Sequence, residues 1–462
     1  EAGDRARGLY AHQEAIGAYE RVLGLLKELG DRGRAARTLM KLGLTYHTAF
    51  DFRRSREAYQ EGFALWQEVA GQAPKTMLRS APHPLRLVQT SPSTLDPAMS
   101  YWPRDFHVIR QLFRGLVELG PQLEVLPGLA EGWEVLQGGH RYCFRLREDS
   151  CWSDGARLTA HDFEYAWKRV LNPATDSPYP HLLYDVKGAA AYHHGEVSDD
   201  ATVGVRAVDD VTLLVDLERP TGYFLQLLNH EATYPVPRHV VEDHGDAWVE
   251  PANVVTNGSY DLVEYRPGEC LILARNAHCG GRGTGNVERV EITLLDQPAW
   301  DDRVALYEAG EVDALDISGA TVDQRERLRL RYADDYFSVP ALTTYCFGLD
   351  VTQPPLQDPR VRRALTMALD REVLAAVCYR GHVLPATGGA VPPGMPGHSP
   401  DIGLPYDPEQ ARLLLVQAGY PGGHGFPFLK ALLPKPYACV DYIQAQWRQE
   451  LDVDVEWEYV SH

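Results

Sequence analysis

Several clusters of reactive residue types invite chemistry, and none has the spacing that the chemistry needs. His193-His194 and His230-Glu231 bring imidazoles next to one another or next to a carboxylate. A zinc-hydrolase helix needs HExxH, with two imidazoles one turn apart and a carboxylate between them. Neither pair has it, so both read as surface or cleft residues. Seven cysteines (Cys143, Cys151, Cys270, Cys279, Cys346, Cys378, Cys439) are scattered with no CxxC pair. That is neither a zinc site nor a disulfide framework, although Cys143 and Cys151 could meet across a turn. "GGRGTGNVER" (280–289) has the glycines of a dinucleotide loop, but strand-like "VERVEITLL" follows where that motif needs a helix. No GxSxG elbow occurs, and the carboxylates are too dispersed to form an acid/base pair. Asn257-Gly258-Ser259 matches a glycosylation acceptor. However, Asn-Gly is first a turn dipeptide, since both residues tolerate positive φ. The expectation is a protein without catalysis, metal or cofactor, whose side chains bind rather than react.

Composition narrows what could be bound. The 462 residues predict two to four domains, and 44% hydrophobic with 24% charged residues suits a globular core. Net charge is -19 and unevenly spread. Residues 1–76 hold 12 Lys/Arg and 10 Asp/Glu, whereas the remainder holds 33 against 54, a net of -21. An acidic body disfavours nucleic acid and anionic lipid as partners. No apolar run of 18 residues occurs, so no spanning helix and no direct membrane insertion is expected. The chain starts at Glu1 without a signal peptide, which predicts a processed chain or a fragment.

The elements that must position any site change character along the chain. Residues 1–73 read as helical repeats. A shift of 40 matches Gly3 with Gly43, Ala18 with Ala58, Tyr19 with Tyr59, Leu25 with Leu65 and Glu28 with Glu68. "AIGAYERVLGLL" and "SREAYQEGFALW" are the clearest copies. Leu42-Gly43, Tyr46 and Tyr59 resemble the small and aromatic positions of tetratricopeptide repeats, with a period above the usual ~34. Such arrays need about three repeats, so this one is expected to begin upstream; the alternative is a generic helical hairpin. Residues 74–84, within "GQAPKTMLRSAPHPLRL", read as a linker, and residues 1–70 are expected to be separable from the rest.

Mixed strands and helices follow. "GHRYCFRLRED" alternates like a strand. "LTAHDFEYAWKRVLNP" has Thr159 and Asp162 in capping-box spacing, with Phe163, Trp167, Val170 and Leu171 on one face. In "NVVTNGSYDLVEYRPGECLILARN" (253–276) a turn at Asn257-Gly258 should precede two strands joined at Arg266-Pro267-Gly268-Glu269. Asp358 with Pro359, Asp370, and Asp407 with Pro408 read as helix starts, and Gly381 and Gly419 as stops.

An ordered series of segments adds a family. "TLDPAMSY", "LFRGLVEL", "LPGLAEGWEV", "FRLREDSCWSDGARLTAHDFEYAWKRVLNPATDSPYPHLL", "VTNGSYDLVEY", "DPRVRRALTMALDREVL" and "YDPEQARLLLVQAGY" occur in that order. Together they resemble the peptide-type (family 5) solute-binding proteins of ABC importers, most closely the oligopeptide-binding proteins, from about residue 78 onward. The resemblance implies an α/β periplasmic-binding-protein type II fold with three lobes, following an all-α tetratricopeptide-like segment. Lobe I would hold about 85–113 and 246–342, lobe II about 114–245, and lobe III about 343–462. "WRQELDVDVEWEYVSH" resembles a helix and strand that come well before the end of such a domain, so lobe III is expected to be truncated.

The same resemblance implies a ligand site. Tyr101, Trp102 and Pro103 would reach the cleft from the loop after "TLDP", with an aromatic Tyr101 where relatives can carry an acid. Tyr179 in "SPYPHLL" would touch the peptide. Thr344 and Tyr345 in "PALTTYCFGLD" would sit at the hinge, and Tyr379 would replace a lysine. Thr343 stands where some relatives carry a disulfide cysteine. For each aromatic the bland alternative is core packing. The implied function is peptide binding between lobes for an ABC importer, outside the cytoplasmic membrane, with the importer's membrane subunits as partners. The alternative is a cytoplasmic ligand sensor, suggested by the fused repeats, which commonly bind proteins.

Overall fold

The computed structural model describes residues 2, 3, 6, 11–49, 51–72, 83–120, 123–277, 286–296, 300–338, 341–380, 382–393, 395, 398–400, 402–433, 437 and 439–460. Most of the expected linker, the glycines of 280–285, Cys279 and Gly381 lie outside them. Two compact units emerge, one spanning residues 12–316 and one spanning 317–462.

The first unit opens with α1 (His12–Glu28), α2 (Arg32–Thr48) and α3 (Phe52–Gln72). On α1 the buried Ala15, Ile16, Tyr19, Leu23 and Leu26 recur at helical spacing. Gly30, at φ 69°, lets the chain leave α1, and Asp31 Oδ1 accepts the Arg34 N–H at 3.0 Å to start α2. The 40-residue shift has a packing counterpart. A Cβ on Gly3 would lie 2.6 Å from the Tyr19 ring, and one on Gly43 would lie 2.8 Å from the Tyr59 ring. Each tyrosine therefore needs a glycine beneath it.

Two four-stranded sheets follow. In chain order the strands are β1 (Leu85–Gln89), the short pair β2 (Val117–Leu119) and β3 (Val125–Pro127), β4 (Ala130–Leu136), β5 (Arg141–Leu146), β6 (Val205–Asp209), β7 (Thr212–Asp216), β8 (Tyr260–Arg266), β9 (Cys270–Arg275) and β10 (Arg289–Leu294). One sheet has the order β1-β10-β9-β8, with β1 parallel to β10 and the other pairs antiparallel. The other has the order β4-β5-β7-β6 and is antiparallel throughout. β8 and β9 are the expected pair, turned at Gly268 (φ 76°). A register shift between Leu262 and Glu264 leaves Val263 exposed, which breaks the alternation.

The helices do not form a separate body, contrary to the expectation of separability. Tyr59 and Phe63 of α3 meet Trp133 of β4 at ring distances of 5.0 and 4.8 Å. Met40, Leu44 and Tyr59 belong to the same apolar core as Trp133, Phe144 and Trp167. The near-neutral charge of residues 1–76 said nothing about this face, because apolar contact carries no charge signal.

The first unit also carries α4 (Pro103–Leu112) and α5 (Ala160–Leu171), and the second unit contains α6 (Val322–Arg331), α7 (Pro359–Met367), α8 (Arg371–Tyr379), α9 (Pro408–Gln417), β11 (Leu429–Leu433), α10 (Val440–Leu451) and β12 (Val455–Tyr459). β11 and β12 run parallel, joined through α10 as a parallel pair requires. Trp447 fills the core and donates its indole N–H to Leu365 O at 2.8 Å. Asp358, Asp370 and Asp407 cap α7, α8 and α9 as expected, with Pro359 and Pro408 in the first helical turn. At the end of α8 the left-handed position falls to Arg380 (φ 49°).

Candidate functional site

The loop after β1 is held by buried carboxylates. Asp96 of "TLDP" accepts two hydrogen bonds from the Arg169 guanidinium, at 2.5 and 3.0 Å, and a third from the Ala98 N–H at 2.9 Å. Arg169 lies on α5 (Ala160–Leu171), whose Phe163, Trp167, Val170 and Leu171 are buried as expected. The Asp162 carboxylate accepts from the Thr159 N–H at 2.8 Å and its hydroxyl at 3.1 Å. Burial pushes the Asp162 carboxyl above its ordinary range.

α4 (Pro103–Leu112) starts where that loop ends. Pro103 fits the first helical position, which has no partner for an N–H. Asp105, fully buried, accepts from the Ser93 N–H and hydroxyl, both at 2.7 Å, and from the Trp102 N–H at 3.1 Å. A helix start and a loop are thus tied through one carboxylate. At the other end, Leu112 O accepts the N–H groups of Asn257 and Gly258 at 3.1 and 2.8 Å, and Asn257 Oδ1 accepts the Arg114 N–H at 2.9 Å. The Asn257-Gly258 pair is therefore a clamp on a helix C-terminus. Neither residue has positive φ; Gly258 is needed because a Cβ would collide with Gln111 O. The chain does bend at Gly258-Ser259 ahead of β8, but not through the positive φ that the dipeptide suggested, and Asn257 is buried and engaged.

On this frame sit the exposed aromatics. Tyr101 and Trp102 remain 55% and 38% exposed. Their rings meet edge to face at 5.2 Å, and Tyr101 stacks on Tyr179 at 6.1 Å. Tyr179 is brought in by Ser177, whose hydroxyl donates to Ala98 O at 2.6 Å. Beneath it lies His230 at 4.5 Å, with His181 at 5.9 Å. His230 Nδ1 accepts the Ala232 N–H at 3.2 Å, and burial pulls its pKa below the ordinary value. The neighbouring Glu231 is buried and paired with Arg110. Burial raises the Tyr179 hydroxyl above its ordinary value, so it stays a neutral donor. Such a shelf can stack planar groups and give or accept hydrogen bonds.

The structure brings Tyr101, Trp102, Pro103 and Tyr179 together. Thr344, Tyr345 and Tyr379 belong to the second unit. Tyr345 is 79% exposed on a segment that belongs to no helix or strand, with Thr344 beside it. Tyr379 is half-buried on α8, where its hydroxyl reaches Cys439 Sγ at 3.5 Å. Burial, then that contact, raises its pKa. Cys143 and Cys151 form no disulfide with each other. Asp96, Asp105, Arg169 and Arg110 escaped the sequence reading as site-framing residues, while the His230-Glu231 pair, read as surface or cleft residues, lies under the shelf with Glu231 buried. Only Asp105, two residues after a helix-starting Pro103, carried a local signal.

The comparisons with known proteins fit this geometry. Residues 124–462 match the model of the bacterial extracellular solute-binding proteins, family 5 (middle). The chain belongs to that family. It is 34% identical over 347 residues to a probable deoxycholate-binding periplasmic protein, YgiS, of Escherichia coli, covering 73% of this chain and 63% of that one. It is 32% identical over 336 residues to the periplasmic oligopeptide-binding protein OppA of Escherichia coli, covering 71% and 61%. The chain thus spans less than two thirds of the length of these curated relatives. The solved murein tripeptide binding protein MppA of Escherichia coli superposes with a TM-score of 0.70 at 28% identity, over 83% of this chain and 76% of that one. The fold is accordingly the α/β periplasmic-binding-protein type II fold.

Proposed function

We propose that this protein binds peptides as the substrate-binding component of an ABC-type importer, outside the cytoplasmic membrane, without acting as an enzyme. The observation that carries the reading is the exposed Tyr101-Trp102-Tyr179 shelf on a buried, charge-tied frame in a chain of this family. Relatives named for oligopeptide and murein peptide binding support the ligand class, and their periplasmic names weigh against the cytoplasmic sensor. Broad peptide binders fix the main chain by hydrogen bonds and leave side chains in roomy, wet pockets. Affinity should therefore vary little among uncharged side chains. Calorimetric titration of di- to penta-peptides, a sugar and a metal chelate tests this. Binding of the sugar or chelate with every peptide silent would refute it. The YgiS likeness and the apolar shelf favour a bile acid as the second reading, so deoxycholate belongs in the same panel.

Two finer assignments belong to the same proposal. The pairing of β1 with β8–β10 supports lobe I, and the β4–β7 sheet supports lobe II, with 343–462 as lobe III holding Thr344, Tyr345 and Tyr379. The repeated glycine-under-tyrosine packing supports tetratricopeptide-like repeats over residues 1–73, with a partner protein as their occupant.

A further inference from the structure

The arginines that frame the shelf differ in how their charge is used. Arg169 is spent on Asp96 and Arg110 on Glu231. Arg104 is not spent. Its guanidinium lies over the Trp102 ring, 5.3 Å from the centroid, and makes no hydrogen bond to any described residue. The nearest carboxylate oxygen, Asp105 Oδ1, is 4.0 Å from Nε. Both Asp105 oxygens already serve Ser93, and one also serves the Trp102 N–H. Arg104 Nε is buried without a partner, while the side chain as a whole is about one third exposed. A guanidinium stacked on an indole keeps edge N–H groups that match a carboxylate in geometry and charge. It is also held in place, so little side-chain freedom is lost when an anion arrives.

We propose that Arg104 receives an anionic group of the ligand, a carboxylate, while Tyr101, Trp102 and Tyr179 take the adjoining planar or apolar part. This rests on the reading of the shelf as the ligand site. It narrows the ligand class to molecules that carry a carboxylate beside a stackable group. In a peptide the carboxylate comes from the C-terminus or from an acidic side chain.

The test compares the 462-residue chain with Arg104→Met, which keeps the apolar cover of Trp102 and removes the charge, and with Arg104→Lys. Each is titrated with matched peptide pairs: free acid against C-terminal amide, and Glu-containing against Gln-containing. Deoxycholate against its neutral methyl ester forms a third pair. The wild type should prefer the charged member of at least one pair about tenfold or more. Arg104→Met should bring that ratio to about one, and Arg104→Lys should keep part of it. The pair that responds names the source of the carboxylate. Peptide silence with a charge-dependent deoxycholate response lost in Arg104→Met would overturn the peptide reading and leave Arg104 as the anion site. A wild type that prefers no charged member, or an Arg104→Met chain that keeps every wild-type ratio, would overturn the assignment of Arg104. Urea unfolding of the three chains should give the same midpoint. A lower midpoint with unchanged ratios would make Arg104 merely structural.

Discussion

Two regions expose aromatic side chains, and they do so in opposite ways. Tyr101 and Trp102 stand on a loop whose backbone N–H groups end on buried carboxylates, and whose Asp96 is locked to a helix 73 residues away in sequence. Tyr345 and Phe347 stand on residues 341–349, which make no backbone hydrogen bond to another described residue. Exposure alone therefore does not mark a binding surface. What distinguishes the first region is the cost of its frame. Burying an acid requires partners, and the partners fix where the rings point. The second region exposes aromatic rings without such a frame, and its Phe347 is held only through a ring contact with Trp457 at 5.7 Å among the described residues.

The sharpest way to break this comparison is to remove the frame. Asp96→Ala leaves Arg169 partly buried and unpaired, which costs about 3–5 kcal/mol for a pair of this kind. Urea unfolding should show that loss together with weaker peptide binding; a change below about 1 kcal/mol would mean that the loop needs no ionic lock. A smaller effect concerns acid. His230 sits with Glu231, Arg110 and His181 around it, and burial holds its pKa below the ordinary 6.5. Above that pH neither state is protonated. Below it the unfolded chain takes up the proton first, so stability should fall as pH drops from about 6.5 through the folded pKa. His230→Gln should flatten the unfolding midpoint over this window, and an unchanged slope would assign it to other groups. The smallest effect belongs to the second region. Tyr345→Ala should shift stability by no more than about 0.5 kcal/mol, and a larger loss would show that the segment is packed rather than free.

What could be read from the sequence was local. Asp358-Pro359, Asp370 and Asp407-Pro408 announced their helices because a cap and its helix lie within three residues. Phe163, Trp167, Val170 and Leu171 announced a buried face through their period. The site frame could not be read in this way. Asp96 with Arg169 and Glu231 with Arg110 are separated by 73 and 121 residues, and a pair at such distance leaves no spacing to detect. Asn257-Gly258 misled for a related reason: the glycine answers a long-range approach to Gln111 O and not its own φ. Tyr59 and Phe63 carried helical spacing, but nothing in it named Trp133 as their partner. Tyr101, Trp102 and Tyr179 came from the family resemblance, since an exposed aromatic and a core aromatic have the same letter.

The most direct test of the account asks whether the shelf is what the ligand covers. Hydroxyl-radical footprinting of the free chain should oxidise Tyr101 and Trp102 readily, with the half-exposed Tyr459 as an internal standard. With a saturating peptide from the calorimetric panel, oxidation of Tyr101 and Trp102 should fall severalfold while Tyr459 is unchanged. Unchanged oxidation of Tyr101 and Trp102 in a chain that calorimetry shows to be saturated would contradict the central claim.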